Sequence, residues 1–213
     1  MRTILDTVDR PAHDAFVEKK SEFIGDVAHV DSLDEAIAFV ERIREMHPKS
    51  RHVAYAAVCG GADGRVAERM SDDGEPSGTA GKPILDVIRA NDLTDCVVAV
   101  TRYFGGILLG SGGLIRAYST GASIAVKAAR QAAIVPCRRY LVVLQYPQLK
   151  RFQQILATVH GEQSDETYAA DVTLVASLPV DESTRFEDLV RETFNATVTP
   201  ETIDVVNRAV AQD

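Results

Sequence analysis

Two glycine-rich segments contain the polar side chains that are most suited to binding a ligand or catalysing a reaction. The first is residues 71–83, SDDGEPSGTAGKP, and the second is residues 102–116, RYFGGILLGSGGLIR. The first offers carboxylates of the kind that hold Mg²⁺, and the second offers two arginines that could bind an anion. Glycines this dense expose backbone N–H groups and let another molecule approach closely. We therefore expect the two segments to form a binding face.

Neither segment completes a nucleotide-binding motif. A P-loop needs Gly, four residues and then Gly-Lys-Ser/Thr, but Pro76 stands where the first glycine belongs and Pro83 where the hydroxyl residue belongs. The dinucleotide fingerprint needs Gly or Ala where this chain has Ile115. The sequence therefore excludes both motifs.

A more general anion site remains at residues 110–113, which open a predicted helix. The first N–H groups of a helix lack partners and carry partial positive charge, so they attract phosphate. Arg102, at the end of the preceding strand, and Arg116, in the first helical turn, could face the same phosphate-bearing ligand. Alternatively, residues 110–113 are only a tight turn and the arginines pair with carboxylates of the first segment. Both interpretations stay open at this point.

Asp72, Asp73 and Glu75 place three carboxylates within four residues of a predicted loop. They could bind Mg²⁺ beside a phosphate, although acidic turns whose side chains bond nearby N–H groups are more common. We assign no metal or cofactor here. His47 and His52 lack a metal-binding spacing, and no serine lies in a nucleophile motif. We therefore assign no catalytic residue.

Composition indicates a globular cytoplasmic protein. Hydrophobic residues make up 46% and charged residues 25% of the chain, and the net charge is −8. A negative chain does not favour non-specific binding to nucleic acid. Its three cysteines are widely spaced, which indicates reduced, buried thiols. The sequence has no apolar run of membrane-spanning length and no signal-peptide core, so we expect no membrane contact.

The hydrophobic pattern predicts two α+β domains that meet near residue 137. Ser32 to Glu35 read as a capping box that starts a helix. The first domain also has predicted strands at 22–31, 53–59, 65–70 and 96–100, a turn at 60–64, and helices after Pro83 and at about 113–132. From residue 138 onward the order of elements is βαββαβ, which is the ferredoxin-like pattern.

The two glycine-rich segments resemble the bacterial, YigZ-type members of the IMPACT family (UPF0029). Residues 72–83 and 102–110 carry the resemblance, and residues 20–24 and the pair His47/His52 also fit it. The resemblance implies a ribosomal-protein-S5 domain-2-like domain at 1–137. It also implies a ferredoxin-like domain at 138–213, of the kind that bacterial members append.

The resemblance also implies a function in translation. Both domain types recur in the translocation elongation factor, and eukaryotic relatives regulate translation by competing for a protein partner. We therefore expect a non-catalytic, cytoplasmic translation regulator that acts through the ribosome, RNA or a protein partner. The alternative is a phosphate-binding or phosphoryl-transfer enzyme that uses residues 110–113 and Mg²⁺, because small-molecule kinases share the first domain's fold.

We expect the ligand to bind between the two segments, with Arg102 on one side and the carboxylates on the other. Replacing Arg102 with alanine is expected to abolish binding and leave the fold intact. The predicted ligand-binding residues are Asp72, Asp73, Gly74, Glu75, Thr79, Gly81, Arg102, Tyr103, Gly105, Gly106, Gly110, Ser111 and Arg116.

Overall fold

A computed structural model describes residues 1–60 and 66–211. It divides into two compact units, Met1–Ala133 and Ile134–Val210. The boundary between the units falls slightly before the predicted position near residue 137. It lies inside a long strand, Gln131–Leu144. No helix among the described residues is long and apolar enough to cross a membrane.

The first unit is built on a five-stranded antiparallel sheet. The unit contains a short strand outside this sheet, β1 (Arg2–Ile4). Its other elements are β2 (Ala12–Glu18), β3 (Ser21–His29), α1 (Leu33–Met46), β4 (His52–Gly60), β5 (Val66–Ser71), α2 (Gly81–Ala90), β6 (Cys96–Tyr103) and α3 (Ser111–Ala128). The sheet order is β2-β3-β6-β4-β5. Strand β6 therefore lies at the centre and delivers Arg102 to the end of the sheet.

Helices cover both faces of this sheet. Because successive strand residues point to opposite faces, Val98 and Val100 of β6 pack with α2 and α3, whereas Val97 and Ala99 pack with α1. This confirms the prediction that residues 96–100 form a strand covered on both sides. Strand β2 is an edge strand of the sheet.

Local signals located most helices correctly. Ser32 caps α1 by accepting a hydrogen bond from the Glu35 N–H at 3.2 Å, as the capping box predicts. Helix α3 begins at Ser111 and ends at Ala128, slightly earlier at each end than predicted. No pattern in the sequence predicted β1 or β2. The predicted turn at 60–64 lies, apart from Gly60, outside the described residues.

The second unit has the predicted βαββαβ order. Its elements are β7 (Gln131–Leu144), α4 (Tyr146–Thr158), β8 (Glu162–Tyr168), β9 (Val172–Pro179), a short 3₁₀ turn (Val180–Glu182), α5 (Ser183–Thr193) and β10 (Glu201–Ala211). Strand β7 pairs with both β9 and β10, and β9 pairs with β8. The two-domain α+β class is thereby confirmed, and the second sheet has the ferredoxin-like order.

Candidate functional site

Asp72 organises the loop that precedes α2. Its Oδ1 accepts hydrogen bonds from the N–H groups of Ala80 and Gly81, both at 2.9 Å, and its Oδ2 accepts one from Gly78 at 2.8 Å. Burial alone would raise the pKa of Asp72, but these three donors outweigh it and lower the pKa. A Cβ on Gly81 would lie 2.9 Å from the backbone oxygen of Ser71, so only glycine fits there. Asp72 is thus a structural carboxylate.

Asp73 ties the same loop to α1 and β4. Its two carboxylate oxygens accept hydrogen bonds from the Arg44 guanidinium, each at 3.0 Å. Oδ2 also accepts the Val53 N–H at 2.6 Å, and the Asp73 carbonyl accepts a hydrogen bond from His52 Nδ1 at 2.6 Å. The neighbouring Gly74 is exposed and has a φ of 84°. This second carboxylate is also engaged within the protein.

Glu75 and Arg102 form a buried ion pair. Arg102 Nη1 donates to Glu75 Oε1 at 2.6 Å, and the Tyr118 hydroxyl donates to the same oxygen at 2.8 Å. The Arg102 guanidinium carbon lies 5.5 Å from the ring centroid of Phe23 and 5.4 Å from that of Phe104. Burial, with the Glu75 carboxylate beside it, raises the pKa of Tyr118.

This pairing decides between the two interpretations of Arg102. Its exposed fraction is only 5%, so its guanidinium is committed to Glu75 and is not presented to solvent. Thr79 is also buried, and its hydroxyl donates to the Pro76 carbonyl at 2.6 Å. Tyr103 is half-buried, and a 3.0 Å hydrogen bond links its hydroxyl to His47 Nδ1.

The segment after β6 is exposed and apolar. We call residues 104–110 the Gly-rich loop. Leu108 exposes 83% of its surface, and Phe104 and Ile107 are exposed as well. Gly105 anchors the loop, because its N–H donates to Ser21 Oγ at 3.1 Å and a Cβ there would lie 1.9 Å from the Lys20 carbonyl oxygen.

The loop leads into the N-terminus of α3. Gly106 and Gly110 both have positive φ, 85° and 72°, which glycine adopts without strain. Gly110 is the N-cap of α3, and in the described part of the chain no side chain caps this end. Arg116 is exposed, and its Nη1 would lie 3.7 Å from a Cβ on Gly112. The first N–H groups of α3 and one guanidinium therefore remain available to a ligand.

The structure thus separates the predicted site residues into two groups. Asp72, Asp73, Glu75, Thr79, Gly81 and Arg102 belong to a hydrogen-bonded network within the protein, with Tyr103 beside it. The exposed group consists of Gly74, Gly106, Gly110, Ser111 and Arg116, and Gly105 is half-buried where it anchors the Gly-rich loop. Sequence reasoning missed the roles of Tyr118, Arg44 and Leu108. Only Leu108 had a readable signal, since it is an apolar residue between glycines in a predicted loop.

Comparisons with known proteins agree with the two-unit architecture. The Impact N-terminal domain matches residues 19–126, and a domain of unknown function, DUF1949, matches residues 142–197. IMPACT family member YigZ of Escherichia coli (strain K12) is 40% identical over 161 residues, which cover 76% of this chain and 79% of that protein. An IMPACT family member of Haemophilus influenzae is 38% identical over 160 residues, which cover 75% of this chain and 78% of that protein.

A solved structure gives a matching fold. A crystal structure described as that of a hypothetical protein is 33% identical to this chain and aligns with a TM-score of 0.61. The alignment covers 95% of this chain and 97% of that one, so it includes both units.

Proposed function

The chain belongs to the IMPACT family, and we propose that it is a non-catalytic binding protein that docks onto a protein of the translation apparatus. The observation that carries the proposal is the exposure of Phe104, Ile107 and Leu108 on the Gly-rich loop. Exposed apolar side chains gathered in one segment are typical of an interaction site. The family resemblance supplies the translation setting, and the three free cysteines favour the cytoplasm.

Contacts with neighbouring residues hold the Gly-rich loop in a conformation suited to docking. Phe104 rests on the Arg102 guanidinium, which is itself fixed by the ion pair with Glu75. Gly105 is fixed against the hairpin that joins β2 and β3. A loop held in one conformation loses less entropy when a partner binds. In this interpretation the buried network does not contact the partner and instead supports the surface that does.

The composition of the loop favours a protein over RNA as the partner. Residues 104–110 contain no Lys or Arg, and the chain has a net charge of −8. RNA binding depends on several cationic contacts to phosphate, whereas protein interfaces bury apolar anchors at their centre. Two exposed cations lie near the loop, Arg51 and Arg116. The guanidinium of Arg51 lies 6.0 Å from the centroid of the Phe104 ring.

Site-specific crosslinking tests the proposal directly. A photo-crosslinking amino acid in place of Leu108, expressed in the native host, should capture one ribosomal protein or translation factor. The same group in place of Val17, which is exposed at 65% on the edge strand β2, is the matched control. Crosslinks only to RNA, or the same products from both positions, would overturn the proposal.

A charge in the loop gives the quantitative test. Leu108→Asp should weaken binding to the captured protein by at least about 2 kcal/mol, roughly thirtyfold, because it places a carboxylate at an apolar anchor. Val17→Asp should bind as tightly as the parent. Binding should change little between low and moderate salt, whereas an RNA partner would give a steep loss of affinity.

A second candidate function, the binding of a phosphate-bearing ligand, is favoured by the uncapped N-terminus of α3 with Arg116 above it. Its Mg²⁺-dependent enzyme form has less support, because Asp72 and Asp73 already accept hydrogen bonds from protein donors. Titration with inorganic phosphate and with ATP distinguishes the candidates. Binding that Arg116→Ala removes and that Lys127→Ala, at the other end of α3, leaves unchanged would favour this candidate.

A further inference from the structure

A separate cavity lies on the face of the first sheet that carries α1. It has a volume of about 930 Å³ and lies between α1, the strands β2 and β3, and the chain near Val8. Ala15, Ile24, Ile43 and Met46 give it mainly apolar walls. Small-molecule sites typically have this size and character.

One buried carboxylate lines this cavity without a partner. Asp26 is only 6% exposed, and its Oδ2 receives no hydrogen bond from any residue in the ranges 1–60 and 66–211. A buried carboxylate oxygen without a donor is costly. Strand register pairs Ile24 with Thr101 and Asp26 with Ala99, so Thr101, whose buried hydroxyl is also unpartnered, lies diagonally beside Asp26. Two polar groups on one small area of sheet therefore lack partners among the described residues.

Two of the charged or titratable groups around the cavity are engaged elsewhere, and none in the described ranges donates a hydrogen bond to Asp26 Oδ2. Arg42, on α1, donates to Asp9 at 3.0 Å, and His47 is hydrogen-bonded to Tyr103 at 3.0 Å. His13 on β2 and Glu45 on α1 also line the cavity. The carboxylates that line the cavity, Asp9, Asp26 and Glu45, favour a positively charged ligand over an anionic one.

We propose that this cavity binds a small organic ammonium compound, with its apolar body against Ile24 and Ile43 and its charged nitrogen hydrogen-bonded to the Asp26 carboxylate. The apolar walls bury the body of the ligand, and the carboxylate selects the nitrogen through a charge-assisted hydrogen bond. The site is distinct from the Gly-rich loop, and nothing in its chemistry depends on a translation partner.

Calorimetric titration of the full chain with tryptamine tests the chemistry. Tryptamine has an apolar ring and an ammonium group, and 3-ethylindole is its neutral counterpart. Tryptamine should bind at least about tenfold more tightly than 3-ethylindole, and Asp26→Asn should remove that preference while leaving the affinity for 3-ethylindole unchanged. No tryptamine binding, or equal affinity of the parent and Asp26→Asn, would overturn the proposal.

A filled cavity gives a test that does not depend on the carboxylate. Ala15 is an exposed residue of β2 that lines the cavity, whereas Val17 lies on the same strand and face but outside it. Ala15→Phe should abolish tryptamine binding, and Val17→Phe should leave it unchanged. If both variants bind tryptamine as the parent does, the ligand does not occupy this cavity.

The pH dependence of binding supplies a third readout. Burial raises the pKa of Asp26, although His47 and His13 act to lower it. Affinity for tryptamine should therefore rise with pH as Asp26 ionises. The other charged or titratable side chains that line the cavity are His13, His47, Arg42, Asp9 and Glu45. In Asp26→Asn, the rise in affinity below neutral pH that comes from ionisation of the carboxyl group should be absent. An identical pH profile in both proteins would contradict the assignment.

Discussion

Each of the three carboxylates at positions 72, 73 and 75 has its own set of hydrogen-bond partners. Asp72 caps backbone N–H groups, Asp73 pairs with Arg44, and Glu75 pairs with Arg102 and Tyr118. Each accepts hydrogen bonds that its neighbours in sequence cannot reach, because the loop turns through positive φ at Asp73 and Gly74. The acidic cluster therefore fixes the loop to the sheet and the helices, which is the more common of the two roles that the sequence left open for it.

We expect the main effect of removing Arg102 to be a loss of folding stability and not a direct loss of binding. Breaking a buried ion pair leaves its partner uncompensated, so Arg102→Ala should lower the free energy of unfolding by about 3–5 kcal/mol. This prediction replaces the expectation that the substitution leaves the fold intact, because the Arg102 guanidinium is buried against Glu75. Urea unfolding at neutral pH measures the change.

The double variant Arg102→Met with Glu75→Gln serves as the control for that measurement. It removes both charges and retains side chains of similar size, so it should recover much of the lost stability. An Arg102→Ala protein as stable as the parent would show that the pair contributes nothing to the fold.

The lowered pKa of Asp72 leads us to expect that the free energy of unfolding decreases in acid. Its pKa is lowered in the folded protein, so its ionised form stabilises the fold above the ordinary aspartate pKa of about 3.9, and this contribution is lost as the pH falls through the lower folded pKa. Asp72→Asn should cost about 1–2 kcal/mol at neutral pH, since one N–H donor loses its acceptor.

Urea unfolding of the parent and Asp72→Asn at several pH values checks this. The difference in their free energies of unfolding should narrow as the pH drops below about 4. A difference that stays constant with pH would mean that the charge of Asp72 is not what holds the loop.

At the scale of elements, the contact between α3 and β3 depends on glycine. A Cβ on Gly25 would lie 2.2 Å from the Gly121 carbonyl oxygen, and one on Gly121 would lie 2.9 Å from Val100 Cγ1. Backbone atoms cannot move aside as a flexible side chain can. Gly25→Ala should therefore push α3 off the sheet and lower the free energy of unfolding by at least about 1–3 kcal/mol.

Gly112→Ala is the matched control for Gly25→Ala. Gly112 is exposed in the first turn of α3, and its added methyl group would come no closer than 3.7 Å to Arg116 Nη1. The free energy of unfolding should stay the same or rise by less than about 1 kcal/mol, because alanine favours helix. Equal losses in both variants would contradict the close-packing argument.

How far elements can be predicted depends on whether the signal is local. Ser32 and the apolar spacing that follows it defined α1, and the run from Cys96 defined a strand covered on both faces. Strand β2 had no such signal, because its residues 13–15 are exposed at a sheet edge and show no apolar alternation. Its place is decided by pairing with β3, which is a tertiary contact.

The contact between the two glycine-rich segments was predictable from the sequence, but the individual side-chain pairings were not. Both glycine-rich segments do meet, since Glu75 of the first bonds Arg102 of the second. Which polar groups face solvent depends on Tyr118 and Arg44, which lie far away in sequence and reach the loop only through the fold. Asp26 illustrates the same limit, because a lone aspartate in a strand looks exposed until a helix is placed over it.

At the scale of the whole molecule, each unit has a hydrophobic core of its own. Phe186 is fully buried in the second unit and packs against Tyr140 and Phe152, with ring centroids 5.1 and 5.9 Å away. Phe186→Ala removes most of that packing and should cost the second unit about 3–5 kcal/mol. A domain with a separate core can unfold separately.

Amide hydrogen exchange distinguishes separate from joint unfolding. In Phe186→Ala, the protected amides of β9 should exchange faster, while those of β6 keep the protection they have in the parent. If β6 amides lose protection by the same amount, the two units unfold as one cooperative structure. Independent unfolding would allow the Gly-rich loop to stay folded for docking while the second unit opens, because the contacts that hold the loop, from Ser21 and Arg102, lie within Met1–Ala133.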